Sequence, residues 1–89
     1  MMRRELKVVN KLGLHARASA KLTQEAARFA SAIWLSRKGR RVNAKSIMGV
    51  MMLAAGMGTS VELEADGADE AEAVSAIERL FADKFGEPE

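Results

Sequence analysis

The chain has no cysteine, which excludes disulfides and thiolate metal sites at the outset. Aromatic residues are scarce, with one Trp, no Tyr and three Phe, so base-stacking platforms are poorly supplied. No apolar run reaches the length of a membrane span. None of signal-peptide length follows the charged start Met1-Met2-Arg3-Arg4. Gly56-Met57-Gly58 fits neither a P-loop nor a dinucleotide fingerprint, so no nucleotide cofactor is expected. These absences leave a cytosolic chain whose 89 residues, 48% hydrophobic, bury one modest core in a single domain spanning 1–89. Monomer is the default assembly.

Charge is plentiful but unevenly distributed. Residues 1–45 carry 12 Lys and Arg against 2 acids, a balance of +10; residues 46–89 carry 2 against 10, a balance of −8, and the two sum to +2. The halves either interleave on folding or form one electropositive face suited to phosphates and acidic partners. A nucleic-acid partner is disfavoured by the low net charge and the missing binding motifs.

The one histidine is the most informative residue. His15 lies in Leu12-Gly13-Leu14-His15-Ala16-Arg17-Ala18-Ser19, at the start of a helix expected to run to about Ala30. Helices favour acids in their first turn, where unpaired N–H groups carry partial positive charge. Here the first acid is Glu25, while Arg17 and Lys21 add positive charge near that end. By contrast, Asp69-Glu70-Ala71-Glu72 supplies the acids of a capping box before the last helix. An uncompensated positive helix start is an anion site in waiting. A neutral imidazole offers a nucleophilic nitrogen, Arg17 can neutralise phosphoryl oxygens, and the first-turn amides of Ala16, Arg17 and Ala18 can donate to them. That is the equipment of phosphoryl transfer. The plain alternative is an exposed histidine that only caps a helix. No second His, no Cys and no nearby acid in sequence supplies a base or a metal ligand. The site therefore reads as a carrier of a group, not as a complete catalyst or a metal centre.

Along the rest of the chain, Glu5–Val9, Ala32–Ser36, Arg40–Asn43 and Ser60–Ala65 have strand character, with Lys38-Gly39 as a hairpin turn. In the last strand Val61, Leu63 and Ala65 are expected inward and the acids outward. Ser46 is a good N-cap for a short apolar helix, Ile47 to Leu53, and is also a candidate phosphorylation site whose dianion a helix N-terminus tolerates. A small domain has difficulty burying every side of such a helix. Ile47, Met48, Met51 and Met52 are therefore expected to form an exposed contact patch, with Val50 and Leu53 as core. An amphipathic helix over 70–84 buries Val74, Ile77, Leu80 and Phe81, and Pro88 falls in a frayed tail. The order βαββαβα suggests an α+β domain with a helix layer on one face of an antiparallel sheet.

Two of these segments, Gly13-Leu14-His15-Ala16-Arg17 and Asn43-Ala44-Lys45-Ser46-Ile47-Met48-Gly49, closely resemble the HPr family. These are histidine phosphocarriers of the bacterial phosphoenolpyruvate-dependent phosphotransferase system. The similarity runs from about Leu6 to Leu80. It implies an open-faced β-sandwich, a four-stranded antiparallel sheet with three helices on one face. It implies phosphorylation of His15 at Nδ1, a supporting role for Arg17, and Ser46 as target of an HPr kinase/phosphorylase where the host has one. Ile47, Met48 and Met51 match the surface that docks enzyme I and the enzyme II A-domains. Ala18 stands where the family commonly has proline, which loosens the first turn and adds one free N–H. The branch of the family stays open between sugar uptake and a nitrogen-type phosphorelay. In the latter the protein would act mainly as a regulatory binding module.

Overall fold

Period-two alternation in Ser60–Asp66 sets the layering. Val61, Leu63 and Ala65 are all buried, and their cross-strand partners Leu6, Leu35 and Ile33 lie on the same face. The computed structural model describes residues 1–89. Its elements are β1 (Met2–Lys7), α1 (Ala16–Ala27), β2 (Ala32–Arg37), β3 (Arg40–Asn43), α2 (Ile47–Met52), β4 (Ser60–Asp66) and α3 (Glu70–Ala82). All pairings are antiparallel, in the order β1-β4-β2-β3. The helices cover one face and contribute Leu22, Ala26, Val50, Val74, Ile77 and Phe81 to a single core. The expected α+β architecture, an open-faced four-stranded sheet with three helices, is the one observed. No helix is long and apolar enough to cross a membrane.

Several local expectations are corrected by tertiary contacts. Strand β1 begins at Met2, not Glu5, because Met2–Lys7 pairs along the whole of β4. Helix α1 ends at Ala27, short of Ala30, and Phe29 is only half-buried against the core. Glu64 does point away from the helices, but it is buried: Arg3 pairs with its Oε2 at 3.3 Å and Arg41 with its Oε1 at 3.0 Å. The Arg41 guanidinium also lies 3.9 Å from the Trp34 ring centre, so the open face carries a closed polar cluster. The two charge halves interleave. Six ion pairs join a cation from the first 45 residues to an acid beyond residue 60, and the His15–Glu87 contact spans the same two halves; Arg28–Glu25 is the exception.

The expected capping box at α3 does not form. Asp69 makes no side-chain cap bond to its own helix. Its carboxylate instead accepts from the Ser31 hydroxyl and from the Ala30 and Ser31 amides, both at 2.9 Å. These bonds tie the α1–β2 loop to α3 and end α1 early. The Ser31 hydroxyl, and then the Ala30 amide, hold the Asp69 carboxyl below the ordinary aspartate value of 3.8. A group with a lowered folded-state value stabilises fully above its unfolded value, and that contribution disappears as pH falls through the folded one. Asp69→Asn is therefore expected to lower the urea midpoint at neutral pH and to flatten its decline below about pH 4. Parallel acid slopes for variant and wild type would rule out this role.

Candidate functional site

The loop before α1 is held from both sides. Val8 N–H donates to Thr59 O at 2.9 Å, and Leu14 N–H to Ala55 O at 2.9 Å. Gly13 turns between them with φ +68°, backbone against backbone with Ala55 and Gly56. The buried Ser19 hydroxyl donates to Leu14 O at 3.0 Å and closes the turn from the helix side. His15 is consequently the N-cap of α1, one residue ahead of the expected first helical position. Its backbone is extended (φ −76°, ψ −177°). Its carbonyl accepts from Ser19 N–H at 2.8 Å, while its ring makes no cap bond and is 30% exposed.

The expected lack of acid in the first turn of α1 is observed. The amides of Ala16, Arg17 and Ala18 donate to no acceptor within the protein. Arg17 is exposed and unpaired at the rim of an open groove shared with Lys11, Leu12, His15 and the chain end. Lys21 does not join it. Its Nζ donates to Phe85 O at 2.6 Å and tethers the C-terminal tail. That tail is not frayed. Phe85 is buried beside Phe81 with ring centres 4.9 Å apart, and Lys11 N–H donates to Glu89 O at 3.0 Å.

The tail brings in the residue that sequence reasoning missed. Glu87 Oε2 lies 2.5 Å from His15 Nε2, and Glu87 Oε1 accepts from the buried Asn10 Nδ2 at 3.0 Å. The Asn10 bond first, and the His15 contact after it, hold the Glu87 carboxyl below the ordinary glutamate value. Nothing local signals this contact, since 72 residues separate the partners.

Ser46 is the N-cap of α2, its Oγ accepting from Gly49 N–H at 3.2 Å. Beyond it, Ile47, Met48, Met51 and Met52 are exposed while Val50 and Leu53 are buried. The Leu14–Ala55 bond sets the segment following α2 directly against the loop that carries His15.

A family profile described as "PTS HPr component phosphorylation site" matches residues 2–83. The chain belongs to the HPr family. The phosphocarrier protein HPr of Cupriavidus necator is 62% identical over 89 residues, covering all of both chains. That of Neisseria meningitidis is 56% identical over the same span, again covering all of both chains. Among solved structures, the crystal structure of an HPr from Thermoanaerobacter tengcongensis aligns over all of both chains with a TM-score of 0.96 at 45% identity. An HPr from Bacillus anthracis aligns with a TM-score of 0.87 at 40% identity, over 90% of this chain and 95% of its own. HPr membership makes the chain a phosphocarrier of the phosphotransferase system.

Proposed function

We propose that His15 accepts a phosphoryl group from phosphorylated enzyme I and passes it to enzyme II A-domains. The observation that carries this reading is the ring itself. It is the only imidazole in the chain, and it stands partly exposed, beside an unpaired Arg17, at a helix start whose own first turn carries no acid. In the transfer, a ring-nitrogen lone pair forms the bond to phosphorus as the donor's bond breaks, and the donor keeps that electron pair. Arg17 and the amides of the exposed Ala16 and Arg17 then take the negative oxygens, which is charge stabilisation by preset donors; Ala18, also expected there, is fully buried, and its amide joins them only if the first turn opens. The group taken up on the ring is handed on unchanged, so in this reading the protein acts as a carrier between two proteins and not as an enzyme. Ile47, Met48 and Met51 supply an adaptable apolar contact for both partners. Phosphorylation of Ser46 would set a dianion at the rim of that contact and oppose docking, which gives the site a regulatory input.

The test is the intact mass of the protein after incubation with phosphoenolpyruvate and enzyme I. One acid-labile phosphoryl gain is the expected result. No gain, with the same enzyme I active on another carrier, would overturn the reading and favour the regulatory binding module.

A further inference from the structure

We propose that Glu87 is the positioning residue of the phosphoryl-accepting histidine, holding the Nε2 proton of His15 so that Nδ1 alone presents a lone pair. This rests on the carrier reading of His15 and adds a residue to it. An ionised carboxylate only accepts hydrogen bonds, so a 2.5 Å contact from Glu87 Oε2 requires the proton on Nε2. The neutral ring then exists as one tautomer, with its free nitrogen turned away from the tail.

The surroundings of Glu87 are built to keep it there. Asn10 is fully buried, and its Nδ2 donates to Gly13 O at 2.9 Å as well as to Glu87 Oε1. With both amide protons committed to acceptors, Asn10 cannot flip, and its Oδ1 is left buried without a partner. The tail reaches this point through three successive residues with positive φ: Lys84 at 54°, Phe85 at 57° and Gly86 at 77°. Two of these carry L side chains that resist that conformation, and burial of Phe85 holds them in it. The Glu87 carboxyl is also held in its ionised form by the Asn10 donor, so it remains an acceptor.

The bond changes balance without a proton transfer. The Nδ1 lone pair forms the N–P bond, the donor's bond to phosphorus breaks with its electron pair, and the Nε2 proton stays in place. The ring becomes cationic, and the Glu87 carboxylate faces that charge from the side opposite the phosphoryl group. The other charged groups around the ring are Arg17 on α1, Lys11 on the preceding loop and Glu89 on the tail. Lys21 acts on Glu87 from α1.

Glu87→Gln tests the assignment, because a single histidine makes the ring nitrogens unambiguous by ¹⁵N NMR. In the wild type the neutral ring is expected almost wholly as the Nε2–H tautomer. In the variant the new carboxamide oxygen stays with Asn10 and its NH₂ faces Nε2, so the ring is expected to shift toward Nδ1–H. The kcat/KM for acceptance from phosphorylated enzyme I is expected to fall about 10- to 100-fold with KM nearly unchanged, because the attacking lone pair is misplaced. Glu62→Gln, at an exposed acid of β4 outside the groove, should leave the tautomer and the rate alone. A Glu87→Gln protein with the wild-type tautomer and rate, beside a phosphorylated wild type, overturns the positioning role and leaves the carrier standing. A shifted tautomer in a protein whose wild type is never phosphorylated supports positioning and overturns the carrier.

Discussion

His15→Ala is expected to abolish phosphoryl acceptance while the protein stays folded. The His15 ring makes no cap bond to α1, and its one polar contact leaves Glu87 still bonded to Asn10. Removing a partly exposed ring in such a position costs roughly 1 kcal/mol or less. The chemistry has no substitute. There is no other histidine and no cysteine, and Ser19, four residues on, is fully buried with its hydroxyl donated to Leu14 O. Ser46 belongs to a different helix start, where its oxygen caps Gly49 N–H. Arg17 and the free amides would still attract an anion, but bound phosphate is not a phosphoryl bond. Intact mass and a thermal melt on the same sample separate the two effects. A variant that melts with the wild type and gains nothing fits this account; a variant phosphorylated at the wild-type rate places the acceptor elsewhere.

The parts of this site that were legible in sequence are those written in consecutive residues. The acid-free helix start, His15 at its cap and the partition of Ile47 to Leu53 into exposed and buried sides all follow from spacing and composition. So does the element order, because alternation and 3.6-residue periodicity are local signals. What was not legible depends on where the chain ends up. Asp69 carries the identity of a helix cap, yet the α1–β2 loop offers it three donors and takes it away from α3. Glu64 alternates as a solvent residue and is buried by arginines from β1 and β3. The tail is the clearest case. Phe81 and Phe85, four apart, extend the apolar stripe of α3, which invites a longer helix and a frayed end. The chain instead leaves α3 at Ala82 and reverses its hand, so that Phe85 enters the core and Glu87 reaches the far end of α1. A bulky apolar residue close behind a helix was the available signal. Its consequence for His15 depended on the packing of α1 against the turn at Lys84–Gly86.

Gly13→Ala is expected to lower stability by about 4 kcal/mol, or roughly 20 °C in Tm, and to impair the site with it. At φ +68° an L side chain costs about 1–2 kcal/mol before any contact is considered. A Cβ there would lie 2.5 Å from Ala55 O and 2.8 Å from Gly56 Cα, both backbone atoms that no rotamer change can clear. The loop would have to move off the segment after α2, and the first bond lost is Leu14 N–H to Ala55 O at 2.9 Å. Leaving that buried donor unsatisfied adds about 1–3 kcal/mol, and Leu14 is drawn from the core. His15 is the next residue. Its N-cap geometry and its contact with Glu87 depend on the same loop, and a displacement of about 1 Å suffices for a loss near 10²-fold in transfer. Gly56→Ala is the control, since its φ is not positive and an added Cβ meets nothing within 4 Å. That exchange should stay within about 0.5 kcal/mol of the wild type. If both variants melt alike, a general intolerance of the two loops is at work. If only Gly13→Ala falls, and phosphoryl acceptance falls with it, the close approach of backbone at Gly13 is what sets His15 in place.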